Sequence, residues 1–105
     1  MRWITICQLD DILPDTGVAA LVGGEQIAVF RSGDAVFAIS NYDPFSQAYV
    51  LARGIVGDKH GVLKVASPIY KHSFDLQTGQ CLDQPTVTLP TYPVDITDGA
   101  VRIGL

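Results

Sequence analysis

The side chains best suited to chemistry in this sequence are two cysteines and two histidines, and their spacing limits what they can do. Cys7 and Cys81 lie far apart and form no CxxC motif, so we predict two free thiols in a reducing compartment. His60 and His72 lie in or beside loops, with no third metal ligand and no nucleophile at a suitable spacing. We therefore expect neither a metal site nor a catalytic site in this chain.

Composition narrows the classes of partner. The chain has 105 residues, 48% of them apolar and 17% charged, which favours one folded domain spanning 1–105. Its formal net charge is −4 and no Lys/Arg run occurs, so nucleic acid is excluded as a partner. The segment MRWIT at the N-terminus lacks the long apolar run of a signal peptide, so we expect none, and no apolar window approaches the ~20 residues of a membrane span. We expect a cytoplasmic protein with no membrane contact.

The elements that must position any site are predicted to be short strands. Apolar runs alternate with Gly, Asp and Asn, a pattern typical of an all-β protein. Gly23-Gly24 and Asp98-Gly99 are tight-hairpin signals. We place a short helix at 46–51 and a loop at 54–61, and predict strands at 3–8, 17–22, 26–31, 35–39, 62–66, 73–76, 87–89, 92–96 and 100–103. So many short strands indicate a small β-sandwich or barrel.

Two segments each place a proline-containing loop next to a strand. Residues 36–45 are VFAISNYDPF, and residues 63–79 are LKVASPIYKHSFDLQTG. They resemble the two cluster-binding loops of Rieske-type ferredoxins, where a C-x-H box and a C-x-x-H box hold a [2Fe–2S] cluster. The resemblance covers residues 36–103 and, more weakly, the first strands. It implies an all-β, Rieske-type fold: a small β-sandwich or barrel with an inserted cluster-loop subdomain.

All four positions that hold ligands in that family differ here. By the resemblance, Asp43 and Ser67 stand where the cysteines belong, and Phe45 and Tyr70 stand where the histidines belong. A [2Fe–2S] centre needs thiolate and imidazole, so we expect no cluster and no other cofactor on this chain. We expect Asp43 and Ser67 to bond their own loop backbones. We expect the two aromatic rings to fill the space left in the core, whereas exposed rings would mark a partner contact.

The same two loops are the candidate partner surface. Tyr70-Lys71-His72 is a small basic and aromatic patch in an acidic chain, which by default is a solvated loop and otherwise suits an acidic partner. The candidate contact residues are Asp43, Phe45, Ser67, Tyr70, Lys71 and His72.

A more specific resemblance involves the opening WITICQLDDILP (3–14) and the segments 38–45, 51–54 and 65–68. Together they are similar to the small subunits of the bacterial assimilatory NADH-dependent nitrite reductases. That resemblance implies a large subunit that carries FAD, a [4Fe–4S] cluster and sirohaem and reduces nitrite to ammonium. The small subunit would support it without being catalytic alone. Two alternatives stay open: a Rieske-type [2Fe–2S] electron carrier, and an interaction module for another oxidoreductase.

Overall fold

The computed structural model describes residues 1–105 and consists mainly of short antiparallel strands. The strands are β1 (Trp3–Gln8), β2 (Thr16–Val22), β3 (Glu25–Ser32), β4 (Ala35–Ser40), β5 (Tyr42–Asp43), β6 (Ala48–Tyr49), β7 (Ile55–Lys59), β8 (Val62–Ala66), β9 (Ser73–Asp75), β10 (Thr91–Tyr92), β11 (Val94–Thr97) and β12 (Ala100–Gly104). Two single-turn 3-10 helices, Leu9–Asp11 and Leu51–Arg53, complete the regular structure. The predicted all-β class is therefore confirmed.

The strands form a central sheet with a smaller three-stranded sheet near each of its faces. The central order is β10-β4-β3-β2, and the smaller sheets are β1-β12-β11 and β7-β8-β9, with β5-β6 as a separate ribbon. Strand β3 is buried on both faces because alternate side chains enter different hydrophobic clusters. Ala28 and Phe30 pack with Val65 and Phe74, whereas Ile27 and Val29 pack with residues of β12.

The tight turns lie where glycine pairs and Asp-Gly predicted them. Gly23 and Gly24 have φ of 57° and 82° between β2 and β3, and Asp98 and Gly99 have φ of 51° and 79° between β11 and β12. Positive φ at both central residues is the geometry of a type I′ hairpin, whose twist matches that of the flanking strands. Both predicted hairpins are confirmed.

Four local predictions are wrong. The strand placed at 92–96 is divided at Pro93 into β10, in the central sheet, and β11, in the β1-β12-β11 sheet. The short helix placed at 46–51 is instead strand β6 followed by the 3-10 turn Leu51–Arg53. The loop placed at 54–61 contains β7, which pairs with β8 along its whole length. The strand placed at 87–89 is reduced to an isolated bridge between Gln80 and Thr88. In each case pairing with a distant segment, which no local pattern contains, decides the conformation.

The two chain ends meet at one edge of the β1-β12-β11 sheet. The Arg2 N–H donates to the Leu105 carbonyl and the Leu105 N–H donates to the Arg2 carbonyl, each at 2.9 Å. This sheet contains neither of the two candidate loops, which lie between β5 and β6 and between β8 and β9. None of the helices is long and apolar enough to cross a membrane.

Candidate functional site

Two loops meet at the end of the β7-β8-β9 sheet. The first loop (43–47) connects β5 to β6, and the second loop (67–72) connects β8 to β9. The Ser67 hydroxyl donates a 2.5 Å hydrogen bond to the Asp43 carboxylate across 24 positions of sequence. Asp43 and Ser67 are 0% and 1% exposed, so this bond joins the loops in the interior. No pattern in the sequence predicts that these two side chains pair.

Asp43 also organises its own loop. Its carboxylate accepts backbone N–H bonds from Phe45 at 2.9 Å and from Ser46 at 3.4 Å. Burial pushes the pKa of Asp43 upward, but hydrogen bonds from the Ser67 hydroxyl and from the Phe45 and Ser46 backbone N–H groups outweigh it, so the pKa lies below its usual value. The group is therefore a buried carboxylate whose charge is stabilised entirely by hydrogen-bond donors.

Ser67 has the matching role in the second loop. Its hydroxyl oxygen accepts a bond from the Ile69 N–H at 3.4 Å, and its own N–H donates to the His72 carbonyl at 2.9 Å. These contacts close the loop on itself, as serine does in turns. The expectation that Asp43 and Ser67 bond their own loop backbones is confirmed.

Phe45 and His72 form a parallel stack between the loops. Their ring centroids are 3.7 Å apart at an interplanar angle of 7°, and Phe45 also approaches Phe74 at 6.2 Å. Phe45 packs against the buried cluster that contains Phe74, so the prediction that it fills core space is confirmed. The Nδ1 atom of His72 and the Oγ atom of Ser46 are buried without a hydrogen-bond partner. The stack with His72 was not predicted from sequence.

Tyr70 departs from the expectation of a buried ring. It is 63% exposed, beside Ile69 at 45% and the exposed Lys71. Lys71 has a φ of 64°, which turns the chain at the tip of the second loop. The hydrogen bond from the Ser67 N–H to the His72 carbonyl closes the base of this loop, and the largely exposed Tyr70 ring lies at its tip. The structure thus separates the six candidate residues into a buried pair (Asp43 and Ser67), a half-buried pair (Phe45 and His72) and an exposed pair (Tyr70 and Lys71).

The donor set does not fit a [2Fe–2S] cluster. The positions that would hold it offer a carboxylate, a hydroxyl, a phenyl ring and a phenol, whereas the cluster requires thiolate and imidazole. Cys81 is buried in the core, where its sulfur accepts the Gln84 N–H at 3.4 Å, and Cys7 lies in β1 opposite Val101. Burial, and then the nearby Asp11 charge, raises the pKa of the Cys7 thiol. Nowhere do three His, Cys, Asp or Glu side chains gather closely enough to hold a metal.

Comparison with known proteins decides the family. The model for the Rieske-like [2Fe–2S] domain matches residues 2–104. The nitrite reductase (NADH) small subunit of Salmonella typhimurium is 48% identical over 104 residues, which cover 97% of this chain and 96% of that protein. The chain belongs to the family of nitrite reductase (NADH) small subunits.

Other members of this small-subunit family agree with the assignment. The solution structure of the nitrite reductase [NAD(P)H] small subunit from Erwinia carotovora superposes with a TM-score of 0.83 at 50% identity, covering 98% of this chain and 81% of that one. The nitrite reductase [NAD(P)H] large subunit of Klebsiella oxytoca is 41% identical over 97% of this chain, a match that spans 11% of that longer protein. The resemblance and the Rieske-type fold inferred from sequence are both confirmed.

Proposed function

We propose that this chain is the small subunit of an NADH-dependent nitrite reductase that reduces nitrite to ammonium, and that it acts by binding the large subunit. The observation that carries the proposal is the 48% identity with a nitrite reductase (NADH) small subunit along nearly the whole of both chains. The related sequence within the K. oxytoca large subunit supports it, because there the two parts belong to one polypeptide.

In this proposal the redox chemistry belongs to the large subunit. As the resemblance implies, that partner carries FAD, a [4Fe–4S] cluster and sirohaem. The small subunit adds no electron relay, since its degenerate loops offer neither thiolate nor imidazole at the ligand positions. Its contribution is to stabilise the bound conformation of the large subunit by mass action. We place both in the cytoplasm, where the free thiols of Cys7 and Cys81 stay reduced.

The proposed contact divides the six candidate residues by role. Asp43 and Ser67 are buried, so they hold the two loops together rather than touching the partner. Phe45 of the first loop stacks on His72 of the second loop, and this contact supports the second loop. Tyr70 and Lys71 are the exposed pair that makes contact, and an exposed tyrosine beside a cation is a common interface hot spot.

The test is co-purification of an affinity-tagged form of this chain with the large subunit of the same organism. We expect a stable complex that carries flavin and sirohaem absorption and oxidises NADH when nitrite is added. Tyr70→Ala should raise the dissociation constant about tenfold or more, as loss of a hot-spot aromatic does. Tyr49→Ala is the matched control, because Tyr49 is 55% exposed and lies outside the proposed contact. A chain that elutes alone and colourless would refute the proposal.

A further inference from the structure

Charge is distributed very unevenly along this acidic chain. Residues 53–73 contain four of the seven Lys and Arg residues and only one of the eleven Asp and Glu residues, a formal net charge of +3. The remaining residues, with three cations and ten acids, carry −7. Because residues 53–73 include β7, β8 and the second loop, the positive charge is concentrated in one part of the fold.

The outer face of the β7-β8-β9 sheet is open. Val56, Val65 and Phe74 form one cross-strand row on the core side, so the adjacent rows, Ile55–Ala66 and Gly57–Lys64, lie on the opposite face. A Cβ atom added at Gly57 would meet nothing within 4 Å. Ile55 is 76% exposed, which is unusual for a large aliphatic residue in a paired strand. Ser73, which lies on the same face at the β9 edge, is 7% exposed, so the open part of this face is its β7 side.

The cations of this region form no ion pair within the chain. The ion pairs of the structure are Arg31–Asp34 and Arg102–Asp95, both outside residues 53–73. Lys64 donates only to the Ser73 hydroxyl, at 3.2 Å. Asp75, which lies opposite Lys64 in the pairing of β8 with β9, keeps its charge but accepts backbone N–H bonds from Gln77 and Thr78 and forms no ion pair.

We propose that the outer face of the β7-β8-β9 sheet and the tip of the second loop form one continuous docking surface for an acidic surface of the large subunit. The inference rests on the proposed function and extends its contact from the loop tip onto the sheet. Ile55, Ile69 and Tyr70 provide apolar contact, and Arg53, Lys59 and Lys71 are exposed cations of the same region. This arrangement of an apolar centre with charged surroundings is typical of protein interfaces.

The uneven charge distribution should orient the chain as it approaches the large subunit. An acidic partner attracts the +3 region and repels the −7 remainder, so the encounter is oriented before contact is made. Exposed charges separated by more than the Debye length are screened, and that length falls from about 10 Å at 0.1 M salt to about 3 Å at 1 M. Binding should therefore weaken strongly as salt is raised.

The experiment measures the dissociation constant of the complete complex at about 0.02 M and about 0.5 M salt. Lys59→Glu and Lys71→Glu should each weaken binding by about 3- to 10-fold at low salt, with little effect at high salt. Arg2→Glu makes the same charge change at an exposed residue next to β1, outside the basic region, and should leave the dissociation constant unchanged or raise it only slightly. Circular dichroism of each variant establishes that it is folded.

A second pair of variants tests the apolar part. Ile55→Ala should weaken binding about 5-fold. Leu21→Ala is the matched control, because Leu21 is 74% exposed on a strand of the central sheet, β2, and should have no effect. If the wild-type chain binds the large subunit but the Lys59, Lys71 and Ile55 variants behave like their controls, the docking surface is refuted and the proposed function stands. If the wild-type chain does not bind at all, the proposed function itself fails.

Discussion

The hydrogen bond between Asp43 and Ser67 allows a direct test of what joins the two loops. In the ferredoxins of this fold a metal cluster bonded to both loops connects them. Here the connection is one 2.5 Å bond between a fully buried carboxylate and a buried hydroxyl. We expect Asp43→Ala, Ser67→Ala and the double variant to show strong energetic coupling, because each single change leaves the other partner buried without its bond.

The magnitudes follow from the contacts that each variant loses. Ser67→Ala removes one charge-assisted bond and the long bond from the Ile69 N–H, and should lower the free energy of unfolding by about 1.5–3 kcal/mol. Asp43→Ala removes the acceptor for the Ser67 hydroxyl and for the N–H groups of Phe45 and Ser46. It should therefore lower the free energy of unfolding by about 3–5 kcal/mol. The double variant should cost about 1–2 kcal/mol less than the sum of the two.

Urea unfolding, monitored by circular dichroism, measures these free energies. Repeating it at several pH values tests whether the bond depends on the charge of Asp43. The pKa of Asp43 is lowered in the folded state, so its stabilisation is complete above the unfolded pKa of about 3.9 and is lost as pH falls through the lower folded value. The difference in stability between wild type and Ser67→Ala should therefore be constant from pH 7 to about 5 and shrink below about pH 4.

Two results would refute this reasoning. A coupling energy below about 0.3 kcal/mol would mean that the two side chains act independently. A Ser67→Ala penalty that stays the same at acid pH would mean that the bond does not depend on the carboxylate charge. The exposed Thr97, whose hydroxyl donates to Asp95 at 2.6 Å, offers a matched control, and Thr97→Ala should cost less than about 1 kcal/mol.

Three further predictions concern the fold around the loops. Gly79→Ala should lower the free energy of unfolding by about 2–3 kcal/mol, because φ is 78° there and the new Cβ would collide with the Leu89 carbonyl oxygen. Gly33→Ala is the control: φ is 61° and the space around the new Cβ is open, so the same urea assay should show a loss of about 1 kcal/mol. Phe45→Ala should lower the free energy of unfolding, measured by calorimetry, by about 2–3 kcal/mol, because the half-buried ring loses its contacts with the core and with the His72 ring. We propose that residues 1–105 form one domain, so Trp3 fluorescence and circular dichroism should give a single coincident unfolding transition, and two separate transitions would contradict it.

The sequence predicted those parts of the fold that depend on local geometry. The hairpins at Gly23-Gly24 and Asp98-Gly99 need positive φ, which the residue types themselves indicate. The sequence did not predict strand β7 because its polar and apolar residues do not alternate. The outward residues include the apolar Ile55, and the inward residues include the charged Asp58. Its strand conformation comes from pairing with β8, and that pairing is a property of the folded chain.

The candidate site was predicted by position but not by geometry. The resemblance located Asp43, Phe45, Ser67 and Tyr70, because the loops that carry them keep the spacing of the family. It did not show that Asp43 and Ser67 bond to one another or that His72 stacks on Phe45, since these contacts join segments 24 and 27 positions apart. The exposure of Tyr70 depends on the left-handed conformation at Lys71, which the type of that residue does not indicate.

The paired backbone bonds between Arg2 and Leu105 bring both ends of the chain to one point in a sheet that contains neither candidate loop. A domain whose N- and C-termini are adjacent can be inserted into a host chain, or circularly permuted, without distorting the rest of the fold. A short Gly/Ser linker from Leu105 to Met1, with new ends opened at the exposed turn of Gly33, should therefore leave the loop geometry intact. The domain is thus suited to serve either as a separate polypeptide or as a covalent part of a larger one.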